Sequence, residues 1–188
     1  MAINATHYDY IPSRPKAKRK RDHIVNAIIE TPKASRHKYA LMPEYGIIAF
    51  HDVLAKDLEW PYDYGFIPQT LAPDKDPVDI LVVNRDGLFS GCLIQARVIG
   101  AIRETKDGIE NDRLISIPLP SPGAPLATDG YTAISDLPKE VLERIKKFLV
   151  RYSSDQGHAI EISAVVGARE AMKTIAGGRR KFKKTRPA

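Results

Sequence analysis

Between residue 24 and about residue 117 the apolar positions come in short runs, rich in Ile, Val and Leu and separated by Pro, Gly and Asp. Runs of this length with β-branched residues read as strands bounded by turns. Six segments are expected as strands: 24–29, 37–41, 46–50, 78–83, 93–104 and 113–117. From Ser135 onward the period changes. Leu137, Val141, Leu142, Ile145, Phe148 and Leu149 recur at helical spacing, with Asp136 suited to the N-cap and Pro138 to the first turn. A second, shorter helix is expected from Ala168 to Ile175, stopping at Gly177-Gly178. The Pro-rich stretch 118–125 reads as a loop, and no internal repeat is visible. The fold class expected is mainly β with flanking helices (α+β), a small barrel or curled sheet with two C-terminal helices packed outside it.

At 188 residues, 43% hydrophobic and 28% charged, the chain is long enough for one domain with a continuous core. It contains no run of 18 apolar residues, and its first ten residues lack the apolar stretch of a secretory signal, so a cytoplasmic location is expected. Cys92 is the only cysteine and cannot form an internal disulfide; its apolar neighbours suggest a buried, inert thiol. The net charge of +6 is unevenly spread. Residues 1–29 carry six Lys/Arg and two Asp, and residues 178–188 carry six Lys/Arg and no acid, which leaves the body acidic. The expected organisation is a basic N-terminal extension (1–22), a body (23–177) and a basic C-terminal tail (178–188). Both ends are candidates for binding nucleic acid or another polyanion, or are simply solvated termini.

The densest chemistry lies in Trp60-Pro-Tyr-Asp-Tyr-Gly-Phe-Ile-Pro68 and the following Pro73-Asp-Lys-Asp-Pro-Val-Asp-Ile-Leu81. Asp74 and Asp76 are two residues apart and point the same way in an extended chain, while Pro77 bends the backbone and brings Asp79 toward them. Like charges within about 4 Å cost on the order of 1–4 kcal/mol per pair, so such a group either binds a cation or stays spread on an exposed turn. All-oxygen donors favour Mg²⁺ or Mn²⁺ over zinc. The five histidines have no metal-ligand spacing.

These segments resemble the soluble inorganic pyrophosphatases, whose signature runs D-x-D-P-aliphatic-D-aliphatic. The likeness extends over roughly residues 24–155. It includes Ile29-Glu30-Thr31-Pro32, Lys38-Tyr39, the block from Trp60 to Pro68, Gly91-Cys92 with Arg97 and Gly100, and Asn111-Asp112-Arg113-Leu114, in family order and spacing. The resemblance implies a five-stranded OB-like barrel with flanking helices and a homo-oligomer, commonly a hexamer in bacterial members. The implied reaction is hydrolysis of pyrophosphate, with Mg²⁺ ions between carboxylates and phosphates and an activated water attacking in line. By position, Asp74 and Asp79 match metal ligands and Glu30 an acidic residue near a metal. Asp76 matches the carboxylate that receives the proton of the attacking water, and Tyr64 a tyrosine at the metal and phosphate site. Lys38, Arg113 and Tyr152 match phosphate-binding positions.

The chain also departs from the family pattern. Ala40 replaces a glutamate, Asp52 an arginine, Ser153 a phosphate-binding lysine, and Lys75 a small residue between the first two aspartates. Lys106 and Asn111 stand where the family has metal-binding aspartates, although Asp107 and Asp112 lie one residue further on with the same spacing of five. A rearranged loop at Gly108 would let Asp107 and Asp112 act as ligands, whereas in a strand a one-residue shift turns a side chain to the other face. These departures predict slower turnover than in a typical member. The alternative is a catalytically impaired descendant that binds phosphate or nucleic acid.

Overall fold

The computed structural model describes residues 7–15, 22–119 and 130–185. The basic run 16–21, most of the Pro-rich stretch and the last three residues, with Arg186, lie outside the described residues. In chain order the strands are β1 (Ile24–Thr31), β2 (His37–Met42), β3 (Ile47–Val53), β4 (Asp63–Ile67), β5 (Val78–Val82), β6 (Leu93–Lys106), β7 (Ile109–Glu110), β8 (Arg113–Pro118) and β9 (Ile160–Gly167). The helices are α1 (Lys139–Asp155) and α2 (Ala168–Thr185).

Five strands close into a barrel. The order β1-β4-β5-β8-β6 returns to its start because β1 also pairs with β6. All of these pairings are antiparallel except β5 with β8, which run parallel. Closure leaves the barrel strands without a free edge. β6 is long enough to serve four partners, pairing with β1 and β8 along its first part and with β9 and β7 further along. β2 and β3 form a separate hairpin.

Each helix covers one half of the core. Ile145, Phe148 and Leu149 of α1 pack with Trp60, Tyr64, Leu81, Ile102 and Ile115, whereas Ala171 and Ile175 of α2 pack with Ile67, Val78, Ile80 and Leu114. All six expected strands are present. Three were not anticipated: β4, a short run that includes Asp and Gly and a single β-branched residue; β7, only two residues long; and β9, in the stretch between the helices. α1 begins at Lys139, later than expected, because Asp136 instead accepts the N–H groups of Thr132 and Ala133 at 2.8 and 2.9 Å and closes a short 3₁₀ turn.

α2 does not stop at Gly177-Gly178, and residues 178–185 are helical rather than tail. Ala171, Ile175 and Gly178 make one buried face, at spacings of four and three residues. A Cβ on Gly178 would lie 2.9 Å from Val78 Cγ2, and its carbonyl accepts the N–H of Leu71 at 3.1 Å. Close packing of the helix on the barrel, and not a left-handed cap, is what requires this glycine. The described part of the N-terminal segment also packs on the body. Tyr8 meets Phe66 edge-on at 5.6 Å, Gln69 donates to the Asp9 carbonyl, and Asn26 donates to the carbonyls of Pro12 and Ser13. Cys92 is only half-buried, because the turn that carries it lies at the barrel rim; desolvation still raises its thiol pKa.

Candidate active site

The signature segments meet because of strand register. Tyr64 and Phe66 of β4 share a face, Asp79 of β5 pairs with Phe66, and the parallel alignment of Ile80 with Leu114 sets Asp79 beside Arg113. Gly65 between the two aromatics allows β1 to approach: a Cβ there would be 1.9 Å from the Ile28 carbonyl oxygen. Across that contact β1 has a bulge between Ile29 and Thr31, which re-aims Glu30 toward the same side.

The result is one cavity of 170 Å³. Four carboxylates line it (Glu30, Asp74, Asp76 and Asp79), together with Lys38, Lys106 and Arg113 as cations, and Tyr64, Tyr152 and Asn111. Lys38 holds its ammonium 5.3 Å from the centre of the Tyr152 ring. Tyr152 and Tyr64 are joined through Trp60, whose ring lies 5.4 Å from Tyr152, 4.5 Å from Tyr64 and 4.7 Å from Phe148. α1 is thereby wedged against the cavity floor.

Arg113 is the hub. It pairs with Asp79, donates from Nη1 to Tyr64 Oη at 3.1 Å and to Asn111 Oδ1 at 3.0 Å, and directs Nη2 toward Glu104 at 3.4 Å. Glu104 is 2% exposed, and neither of its carboxylate oxygens has a hydrogen-bond partner. Sequence reasoning missed Glu104, since an isolated glutamate near a strand end carries no signal by itself. It also took Trp60 only as part of a motif and not as the platform for two tyrosines. Asp63, fully buried, ties the surrounding loops by accepting from Lys33 N at 2.7 Å and Asn84 Nδ2 at 2.5 Å.

The carboxylates are short of positive charge. Burial pushes Glu30 up to about 7 although it accepts the Leu41 N–H, and Asp76 is raised by desolvation and by the charge of Asp74. Burial likewise raises Tyr64, which keeps its hydroxyl proton available for donation. Among the described residues no three acidic or histidine side chains already close on one point, because Asp79 is turned onto Arg113. The donor set nevertheless fits a hard divalent cation: four carboxylates line one space, and the buried Glu30 and the rim residue Asp76 are both raised by desolvation and by a neighbouring carboxylate.

Asp107 and Asp112 are not brought to this cavity. Asp107, at φ 50 in the β6–β7 turn, is exposed and accepts from Ala159 N at 3.0 Å beside His158. Asp112 pairs with Arg103 and accepts from Thr174 at 2.9 Å. Lys106 and Asn111 are the residues that reach the wall, as the alternation of a regular strand pair dictates. Asp52 is also off the cavity wall, where it accepts from Gln156 Nε2 at 2.9 Å and from Val53 N at 2.7 Å. Lys75, at φ 76 between the aspartates, is exposed on the outer side of the turn. Of the departures, Ala40, Lys106, Asn111 and Ser153 line the cavity, whereas Asp52 and Lys75 do not, which removes the arginine-to-aspartate change at position 52 as a reason for slower turnover.

Comparison with known proteins agrees with this architecture. The family model described as inorganic pyrophosphatase matches residues 27–183. The inorganic pyrophosphatase of Geobacillus stearothermophilus is 39% identical over 152 residues, covering 81% of this chain and 90% of that protein. The crystal structure of an inorganic pyrophosphatase from Neisseria gonorrhoeae superposes with a TM-score of 0.83 at 26% identity, covering 94% of this chain and 99% of that one. That of Thermus thermophilus gives 0.78, also at 26% identity, over 91% and 98%. With its barrel, its signature aspartates and these relatives in agreement, the chain belongs to the inorganic pyrophosphatase family.

Proposed function

We propose that the cavity hydrolyses inorganic pyrophosphate to two phosphates with the help of bound divalent ions, Mg²⁺ being the expected metal. The observation that carries this reading is the gathering of four carboxylates and three cationic side chains around one 170 Å³ space in a chain of this family. In the proposal Asp74, Asp79 and Glu30 hold the ions, which acidify a water and neutralise phosphate charge when bound. Asp76, at the rim, takes the proton of the attacking water. Lys38, Arg113 and the hydroxyl of Tyr152 bind the phosphate oxygens, and Tyr64, protonated and fixed by Arg113, donates at the junction of metal and phosphate. Asp79, paired with Arg113 here, would hold an ion only by giving up that pair, and Glu104, 3.4 Å from the guanidinium, would then keep it in place. Asp107 and Asp112 have no part in the proposed ligand set, since both face away from the cavity.

A homo-oligomer, hexameric by resemblance, belongs to the same reading. Support comes from the apolar side chains Tyr45, Ile47, Phe50 and Val53 exposed on and beside the β2–β3 hairpin. Release of phosphate from pyrophosphate by the purified chain, measured with Mg²⁺ and again with excess chelator, tests the function. Release that needs the metal is expected, and none above the blank in either condition would overturn it.

A further inference from the structure

A second cavity, also of 170 Å³, lies between the N-terminal segment, the start of β1 and the side of α2 that carries Arg169, Ile175 and Arg179, and shares no lining residue with the carboxylate cavity. Its wall includes Ser13, Arg14, His23, Arg169 and Arg179. Ser13 is 1% exposed and its hydroxyl has no hydrogen-bond partner; Arg14 Nε is buried and unpartnered as well. Each open donor costs on the order of 1–3 kcal/mol when nothing satisfies it. Two at one cavity point to something that accepts hydrogen bonds there.

The surrounding charge has one sign. Among the described residues none of Arg14, Arg169 and Arg179 has an ion-pair partner within 4 Å; Glu170, beside Arg169, is paired with Lys173 at 2.8 Å and feels the charge of Arg169 more weakly. The donors are also held in place. The Ser13 carbonyl accepts from Asn26 N at 3.1 Å, and that of Pro12 from Asn26 Nδ2 at 2.6 Å. His23 adopts φ 52 with its carbonyl accepting from Val98 N at 2.9 Å, a left-handed backbone of the kind that clusters at ligand sites.

We propose that this cavity binds the phosphate group of a small anion at a site separate from the catalytic one. Three guanidinium groups and a hydroxyl offer donors to a tetrahedral oxyanion, and guanidinium groups recognise phosphate through paired N–H contacts. The volume sets the size of the ligand. Pockets that engulf organic molecules run to roughly 300–1,000 Å³, so 170 Å³ suits one phosphate or diphosphate group, with any attached nucleoside remaining in solvent. The same chemistry is offered by free phosphate, by diphosphate and by the phosphate of a nucleotide.

Calorimetric titration of the full chain in chelator-containing buffer, with inorganic phosphate, imidodiphosphate and AMP as probes, tests the proposal and separates these sources by their affinities. Three variants are compared with the parent: Arg14→Gln/Arg179→Gln, Arg169→Gln on the exposed side of the helix, and Arg113→Gln in the catalytic cavity. The double variant is expected to lose at least about tenfold in affinity for the preferred probe, equivalent to 1.4 kcal/mol. Arg169→Gln should weaken it by a smaller factor, and Arg113→Gln should keep it. Turnover of the double variant at saturating Mg²⁺ should match the parent. If the double variant and Arg169→Gln bind all three probes as the parent does, or if only Arg113→Gln loses binding, the proposal is wrong. Arg169 is exposed, so its variant keeps the test informative even if the double variant fails to fold.

Discussion

Asp79 and Arg113 form an ion pair across the only parallel seam of the barrel, where Ile80 of β5 is aligned with Leu114 of β8. One guanidinium thereby reaches Asp79, Glu104, Tyr64 and Asn111 together. Arg113→Gln removes the charge that pairs with Asp79 and faces Glu104, and turnover is expected to fall by about 10²–10³. Arg113→Lys keeps the charge but loses the planar fork, so it should retain more activity than the Gln variant. Steady-state kinetics of both variants check this, and a Gln variant at the parent rate would remove Arg113 from the mechanism.

Glu104 makes stability depend on pH. Burial raises its carboxyl from the usual 4.5 to about 7 even with Arg113 within 3.4 Å. The folded state therefore holds this proton more tightly than the unfolded chain. Its contribution is greatest below the unfolded value and is lost as pH rises from about 4.5 through 7, a loss on the order of 2–3 kcal/mol. Urea unfolding of the metal-free protein should show lower stability at pH 8 than at pH 5. Glu104→Gln should flatten that limb in part, the remainder belonging to Glu30, which rises over the same window. An unchanged pH profile in Glu104→Gln would contradict this.

Lys75 holds φ 76 in the turn between Asp74 and Asp76, a backbone that costs a side-chain-bearing residue about 1–2 kcal/mol. It is exposed and lines no part of the catalytic cavity. Lys75→Gly should therefore raise the unfolding free energy by about 1 kcal/mol and leave turnover unchanged. A clear loss of turnover would mean that Lys75 supplies charge to the substrate.

Asp52 stands where the resemblance implies an arginine, yet its carboxylate is occupied by Gln156 and by its own strand. Asp52→Arg is expected to leave kcat unchanged at saturating Mg²⁺. A rise of about tenfold, worth 1.36 kcal/mol in the barrier, would show that position 52 faces the substrate after all.

How far the sequence could be read follows from the range of each interaction. Strand runs such as Ile24–Thr31 and the period of α1 are local: a short apolar run rich in β-branched residues reveals the first and a 3.6 repeat the second. Asp63–Ile67 is short, has a single β-branched residue and contains Asp and Gly, so its composition reads as a turn although all of it is buried. Gly178 resembles a helix stop because a glycine needed for close packing and one needed for a left-handed cap are the same letter. That Asp74, Asp76 and Asp79 line one cavity was legible from their spacing, whereas the turning of Asp79 onto Arg113 was not. Their meeting with Arg113 depends on the β5–β8 register, across 34 residues, and only the family likeness anticipated it. Glu104 had no such guide.

The central claim is that this carboxylate cavity hydrolyses pyrophosphate with Asp76 as proton acceptor. Asp76 is exposed at the rim, so Asp76→Asn should fold as the parent does. The decisive measurement is phosphate release from pyrophosphate at saturating Mg²⁺ by Asp76→Asn beside the parent, with circular dichroism to verify the fold. A folded variant whose turnover is lower by roughly 10²–10⁴-fold is the predicted result; a folded variant releasing phosphate at the parent rate would contradict the account.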